Sequence, residues 1–161
     1  MNQEMLRTLI EAVSLGETSI EDALFKLRHV PVDNVTYSEQ VIARLDTHRS
    51  IRHGFPEVIL AEGKSQPHLE AIISAALNHD EDILVTRLVA EVGLELKKKF
   101  TELEFSEQAG CLYRQTGKVQ EDGLVVVFCA GTADIPVAEE AALTARLMGA
   151  KVKTHYDVGV A

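Results

Sequence analysis

The segment 124–158 constrains the fold of this chain more than any other part of its sequence. Leu124–Phe128 is a continuous apolar run, LVVVF, which is typical of a strand buried on both faces of a parallel sheet. A short turn separates it from a predicted helix with an apolar side formed by Val137, Ala141, Leu143, Leu147 and Met148. Residues 151–158 are the next candidate strand. The pattern predicts one βαβ unit of a Rossmann-like parallel-sheet domain, and hence an α/β protein, with a domain boundary near residue 120.

The first 31 residues predict a helical hairpin. Apolar residues recur at helical spacing in both halves, and Gly16 stands where a helix would end. Ser19 and Asp22 resemble a capping box at the start of the second helix. Pro31 marks the end of the hairpin. A packing or oligomerisation arm explains this segment better than any catalytic role.

Residues 32–120 predict a small α/β domain after the hairpin. Residues 56–61 (PEVILA) and Ile83–Thr86 are short apolar runs of strand type, and the polar stretch 115–123 is typical of a linker. Residues 41–46 fit a strand or a short helix about equally well. The remaining predicted elements are helices at 69–77 and 89–100 and a third strand at 105–113, interrupted by Gly110.

Charge and composition exclude some classes of partner and location. The formal net charge of −9 in 161 residues argues against general binding to nucleic acid or to anionic membranes. Glu4 and Glu11 lie where a signal peptide would be uncharged, and no apolar run has the length of a membrane span. The two cysteines, Cys111 and Cys129, form no disulfide framework. We therefore expect a cytoplasmic location.

The turn at residues 129–134 (CAGTAD) carries the strongest chemical signal. It lies at the carboxyl end of a predicted parallel strand, where open α/β sheets bind ligands. Small residues allow a close approach to the backbone, and Thr132 adds a hydroxyl group. Asp134 is suited either to cap the following helix or to accept hydrogen bonds from a ribose. These residues alone indicate an anion or nucleotide site, or an ordinary βα turn capped by Asp134.

Electrostatics complicates a phosphate site at this turn. Glu139 and Glu140 fall in the early turns of the helix, where their carboxylates would repel a bound phosphate. Such a phosphate would need a compensating cation. Arg49 and Lys64, both in the preceding domain, are the candidates for contacts to a substrate phosphate.

Two regions together resemble a known family. Residues 131–161, preceded by LVVVFCA, are similar to the opening of the aminoimidazole-ribonucleotide carboxylase (PurE-like) domain. They resemble more closely its nickel-pincer-cofactor branch (LarB), the pyridinium-3,5-biscarboxylate mononucleotide synthases. The second matching region is 45–49 (LDTHR), continued by 52–59 (RHGFPEVI) and by Gly63 and Lys64.

The resemblance implies an enzyme that adds carbon dioxide to the pyridinium ring of nicotinic acid adenine dinucleotide and splits its phosphoanhydride to release AMP. The resemblance further implies that a cysteine thiolate adds to the ring first. The resemblance implies a homo-oligomer, since family members are octamers, and no tightly bound cofactor. Whether Mg²⁺ binds the substrate phosphates is left open. The residues that it assigns to substrate binding are Gly131, Thr132, Ala133 and Asp134.

The family pattern continues beyond Ala161 into a Gly-x-His-Arg segment and a nucleophilic cysteine. We therefore expect 121–161 to be an incomplete PurE-like catalytic domain, and we assign no catalytic residue within the chain. Cys129 follows a predicted buried strand and is interpreted as a small buried residue, and Cys111 matches no catalytic position of the family. Two alternatives stay open: an aminoimidazole ribonucleotide carboxylase of purine biosynthesis, and a non-catalytic fragment or binding module.

Two weaker motifs do not support a site. The end of a P-loop motif is matched by Gly63, Lys64 and Ser65. The earlier glycine that this motif requires is absent, because position 58 is Val58. His48, His53 and Glu57 lack a recognised metal-ligand spacing. The sequence therefore predicts no metal site in this part of the chain.

Overall fold

The structure, a computed structural model, describes residues 3–28, 32–46, 49, 57–79, 82–116 and 122–159. Its contacts divide the chain into two compact units, Met1–Glu57 with Ala71–Glu81, and Val58–Glu70 with Asp82–Ala161. Pro31 and the predicted boundary near residue 120 lie outside the described residues.

The first unit begins with the predicted helical hairpin, which is confirmed. Helix α1 spans Gln3–Ser14 and α2 spans Ile20–Arg28. Gly16 has a φ of +75°, as expected for a residue just after a helix. The N–H of Asp22 donates to Ser19 Oγ at 3.0 Å, and that hydroxyl donates to the Asp22 carboxylate at 2.8 Å. Ser19 therefore caps α2, with Asp22 in the place of the usual glutamate.

A β-hairpin follows in the same unit. Strand β1 (Val32–Tyr37) pairs antiparallel with β2 (Gln40–Asp46), with an irregularity at Val35. Residues 41–46 therefore form a strand, which decides between the two alternatives left by the sequence. Val35 and Leu45 are buried, but most of the hairpin is exposed.

The second unit contains a four-stranded sheet in the order β3-β4-β6-β5. Strands β3 (Val58–Leu60) and β4 (Ile83–Thr86) are parallel and are connected by helix α3 (Gln66–Leu77). Helix α4 (Ala90–Lys99) leads from β4 to β5 (Glu104–Ser106), and β6 (Cys111–Arg114) pairs antiparallel with both β5 and β4. The predictions for 83–86 and for the two helices are confirmed, and 56–61 contains β3.

The single third strand predicted at 105–113 is wrong. Glu104–Ser106 and Cys111–Arg114 are two antiparallel strands joined by a turn. Gly110 has a φ of +59°, and its N–H donates to Glu107 O at 3.2 Å. A left-handed residue of this kind reverses the chain, so the turn that ends at Gly110 separates β5 from β6.

The predicted βαβ unit is confirmed at 124–155. Strand β7 (Leu124–Phe128) is parallel to β8 (Lys151–His155), and helix α5 (Ile135–Leu147) connects them after a 3₁₀ turn at Thr132–Asp134. On α5, Leu143 and Leu147 pack against the buried cluster of Leu84, Ala109 and Cys111. The βαβ unit and the four-stranded sheet therefore share part of one core.

The prediction that β7 is buried on both faces is wrong. Leu124 is 58% exposed and Phe128 is 62% exposed. Among the described residues β7 pairs with one strand, and α5 is the helix that contacts both strands of this pair. One helix covers one face of a two-stranded sheet, so the apolar side chains on the other face remain in contact with solvent.

Candidate functional site

The turn at Gly131–Asp134 lies at the carboxyl end of β7, directly before α5. Gly131 has extended backbone, with φ −133° and ψ 164°, and its carbonyl accepts from the N–H of Asp134 at 3.1 Å. Thr132, Ala133 and Asp134 form the 3₁₀ turn and are exposed. The structure therefore places all four predicted substrate-binding residues together on one accessible turn.

Asp134 is exposed, and the space beside Gly131 is open. Asp134 stands at the N-cap position of α5, but no side-chain hydrogen bond caps the helix there. A Cβ atom added at Gly131 would meet no heavy atom within 4 Å. No hydrogen bond therefore bears out Asp134 as a helix cap, and the ligand interpretation of the turn stays a prediction.

The chain after β8 lines the same edge of the sheet. The N–H of Val158 donates to Cys129 O at 3.2 Å, and the N–H of Gly159 donates to Ala130 O at 3.0 Å. His155 stacks on Phe128, with ring centroids 5.2 Å apart. Asp157 has a left-handed φ of +54°, which is uncommon for a residue other than glycine. Sequence reasoning missed Asp157, because nothing in the sequence signals its backbone conformation.

The two glutamates near the start of α5 are engaged by other side chains. The Tyr156 hydroxyl donates to the carboxylate of Glu139, and this hydrogen bond raises the pKa of Tyr156. Arg87 Nε lies 3.1 Å from Glu140 Oε2. Because the Arg87 guanidinium offsets the charge of Glu140, the repulsion that the sequence predicts for a phosphate at this turn is reduced.

Arg87 was not among the predicted cations. It immediately follows β4, and Glu140, far along the chain, meets it only because α5 packs beside the four-stranded sheet. Its position directly after a parallel strand is the sequence signal that would have identified it.

The predicted phosphate contacts, Arg49 and Lys64, fall in different units. Arg49 is half-buried in the first unit. Lys64 lies in the second unit, where its ammonium donates to Leu60 O at 2.6 Å. It lines a pocket to which Arg87 and the first turns of α5, at Pro136, Val137 and Glu140, also contribute. The structure thus brings Lys64 to the helix that follows the turn.

Both cysteines are buried, which agrees with the interpretation of Cys129 as a small buried residue. Cys111 is fully inaccessible, and its thiol lies 3.3 Å from Ala109 O. Burial, reinforced by the negative charge of Glu140, raises the pKa of Cys111 to about 12. A thiol in this state is a poor nucleophile, because the thiolate is the reactive form.

We expect Cys111 to resist alkylation in the folded protein. In a Cys129→Ala variant, the raised pKa alone should lower the thiolate population at roughly pH 8 by about a thousandfold, and burial adds to this protection. The rate of modification by iodoacetamide, followed by mass spectrometry, measures the effect. The same variant unfolded in guanidinium chloride is the control, and similar rates in the two states would contradict the prediction.

Neither a metal centre nor a membrane span is found in the described parts of the chain. Over those residues, no three side chains of His, Cys, Asp or Glu come close enough to hold an ion. Nor does any helix there have the length and apolar character needed to cross a bilayer. Glu57 accepts a hydrogen bond from the Asp46 N–H at 2.7 Å. His48 and His53 lie outside the described residues.

Comparison with known proteins identifies the family of the central region. Residues 37–116 match the LarB/PurE-like N-terminal domain. An uncharacterized protein of Methanocaldococcus jannaschii is 32% identical over 168 aligned positions, which cover 97% of this chain. The chain spans 62% of the length of that relative. Residues 37–116, which include the four-stranded sheet and Lys64, therefore form a LarB/PurE-like N-terminal domain.

Proposed function

We propose that this chain acts in the carboxylation of nicotinic acid adenine dinucleotide, coupled to phosphoanhydride hydrolysis, in nickel-pincer cofactor biosynthesis. The observation that carries the proposal is the turn at Gly131–Asp134 in a chain with a LarB/PurE-like N-terminal domain. The resemblance implies that purine enzymes of this type consist of little more than the carboxylase domain. The N-terminal domain of this chain therefore favours the nickel-pincer branch over the purine branch.

The turn is proposed to hold a ribose-phosphate part of the dinucleotide. The exposed Asp134 carboxylate would accept hydrogen bonds from ribose hydroxyls, as acidic residues do in other nucleotide-binding α/β folds. Open space beside Gly131 lets the backbone approach the phosphate closely. Arg87 and Tyr156 assist indirectly, since they engage the two glutamates of α5.

The chemistry implied by the family proceeds through addition of a thiolate to the pyridinium ring. The added electron pair makes the ring nucleophilic enough to attack carbon dioxide; loss of the ring proton and of the thiolate then restores the pyridinium. Water cleaves the phosphoanhydride. To this chain's own residues we assign substrate binding and not the covalent steps. Homo-oligomerisation and a cytoplasmic location are parts of the same proposal.

Binding of the dinucleotide tests the role of the turn. Asp134→Asn is expected to weaken binding about tenfold, because a hydrogen bond to a charged group contributes roughly 1.5–3 kcal/mol. Asp122→Asn is the matched control, since Asp122 is exposed just before β7, at the other end of the strand. Isothermal titration calorimetry measures both. Equal affinities for the two variants would contradict the assignment.

A labelling experiment tests the reaction itself. The chain and its longer Methanocaldococcus jannaschii relative are each supplied with the dinucleotide and labelled bicarbonate, with and without EDTA. Label in the pyridinium product of the relative supports the proposed reaction, and loss of label with EDTA would implicate a divalent ion at the phosphates. A parallel assay supplies aminoimidazole ribonucleotide in place of the dinucleotide, and label in its carboxylated product would favour the purine alternative. Dinucleotide binding without any label incorporation would favour a binding module.

A further inference from the structure

The strand pair β7–β8 has two edges, and its hydrogen bonds indicate which backbone groups face each of them. The Lys151 N–H donates to Gly123 O at 3.2 Å, and the Cys129 N–H donates to His155 O at 3.1 Å. Backbone groups alternate from side to side along a strand, so the odd-numbered residues of β7 bond to β8. Its even-numbered residues therefore direct their backbone groups to the other edge, where no described strand pairs with β7.

The free edge of β7 is apolar and accessible. Leu124, Val126 and Phe128 are 58%, 40% and 62% exposed, and none of the 5 residues of β7 is charged. An exposed apolar strand edge of this kind is a template for pairing with another strand. A two-stranded sheet is also only marginally stable by itself, so additional strands would stabilise it.

The free edge of β8 differs, because this strand carries positive charge. Lys151, Lys153 and His155 alternate with Val152 and Thr154 along it. If β8 paired with itself around Lys153, two ammonium groups would lie opposite each other, and like charges in that position are destabilising. Lysine on an edge strand opposes pairing for this reason. The contrast between the two edges identifies β7 as the strand that can accept a further strand.

The sequence of β7 is complementary to itself in antiparallel pairing. With Val126 opposite its own counterpart in a second copy, Leu124 of each strand lies opposite Phe128 of the other. These residues are the ones with backbone groups at the free edge, so each facing pair can exchange two hydrogen bonds. Each pair also joins two apolar side chains across the strands. A second copy of this chain therefore satisfies both the backbone and the side chains of this edge.

The helix beside this strand pair leaves room for the same arrangement. Helix α5 contacts both strands, and neighbouring strands lie about 4.8 Å apart. In a four-stranded sheet formed by two copies, the two α5 helices would lie about 9.6 Å apart, within the usual spacing of packed helices. Val125, on the opposite face of β7 from Val126, is still 39% exposed. A single α5 therefore covers this edge of β7 incompletely, and a second helix fits beside it.

We propose that two copies of this chain associate through antiparallel pairing of their β7 strands, which gives a four-stranded sheet in the order β8-β7-β7-β8. The inference goes beyond the proposed reaction, because it names the surface at which two copies meet and uses no residue of the turn at Gly131–Asp134. The dinucleotide and labelling experiments therefore neither support nor contradict it.

Analytical ultracentrifugation of the intact 161-residue chain tests the proposal. We expect a monomer–dimer equilibrium that shifts over about a hundredfold range of protein concentration. Val126→Lys places two ammonium groups opposite each other and should raise the dissociation constant of the dimer at least about tenfold. Val41→Lys is the matched control, because Val41 is an exposed valine of strand β2 and its replacement should leave that constant unchanged. Thermal unfolding of each variant establishes that it is folded.

A mixture of two variants tests the register of the pairing. Val126→Lys and Val126→Glu should each be monomeric alone, whereas their mixture should form a dimer in which opposite charges face each other across the two strands. Three results would overturn the proposal. The first is a chain that stays monomeric at every concentration. The second is a dimer that Val126→Lys and Val41→Lys affect equally, which would assign the contact to another surface. The third is a mixture that dimerises no better than the separate variants.

Discussion

Replacement of Leu96 by alanine is expected to lower the free energy of unfolding by about 2–5 kcal/mol. Leu96 lies in α4 and is fully buried. Truncation removes its apolar contacts and leaves a cavity that its neighbours fill only partly. Urea denaturation measures the loss as a lower transition midpoint with an unchanged slope.

The same helix supplies a matched control. Leu94 lies two residues earlier in α4 and is 47% exposed. Leu94→Ala makes the same change in helix propensity without opening a cavity, so its effect should be about 0.5 kcal/mol or less. If the two substitutions destabilised the protein equally, burial of the Leu96 side chain would not be what stabilises the packing of α4 in the second unit.

Gly93→Ala is expected to destabilise the protein by about 1–3 kcal/mol, although alanine favours helices. Gly93 is buried in α4, and a Cβ there would overlap Cε2 and Cζ of Phe105 on β5. The overlap forces the helix and strand apart or turns the ring, and this strain exceeds the gain of about 1 kcal/mol in helix propensity. Denaturant unfolding measures the net effect.

A double substitution separates the two contributions. In a Phe105→Leu background the ring atoms that meet the new Cβ are absent. Gly93→Ala should then be neutral or stabilising by up to about 1 kcal/mol. If Gly93→Ala cost the same in both backgrounds, the close packing of α4 on Phe105 could not be the reason for a glycine at this position.

Sequence patterns predicted those elements whose local chemistry agrees with their packing. The hairpin of α1 and α2 follows from apolar spacing and from the Ser19 cap, both of which act within a few residues. Strand β1 was missed because the hairpin that it forms with β2 is mostly exposed, so its sequence does not alternate between apolar and polar residues.

The errors at β5–β6 and β7 arise from tertiary structure. One apolar stretch around Gly110 was interpreted as a single strand, and only the left-handed backbone of that glycine shows that the chain reverses. The run at Leu124–Phe128 correctly predicted a strand, but the burial of a strand depends on which elements cover it.

The candidate site was predictable in part. Gly131–Asp134 could be identified because a βα turn is a local feature with a known place in the fold. The pairing of Arg87 with Glu140 could not be predicted from the sequence, because it depends on how α5 packs against the four-stranded sheet. Lys64 was predicted as a phosphate contact, but the cavity that it lines appears only when four separate segments meet.

The strand order has a consequence for how the chain folds. Among the described strands, β1–β2, β3–β4, β5–β6 and β7–β8 are pairs of neighbours along the chain, and the β4–β6 pair skips a single strand. The entropy lost on closing a loop grows with its length, so such pairings form rapidly. During synthesis each of these pairs can form as soon as its second strand has emerged. The topology therefore favours folding in the order in which the ribosome makes the chain, with the four-stranded sheet complete once Arg114 has emerged.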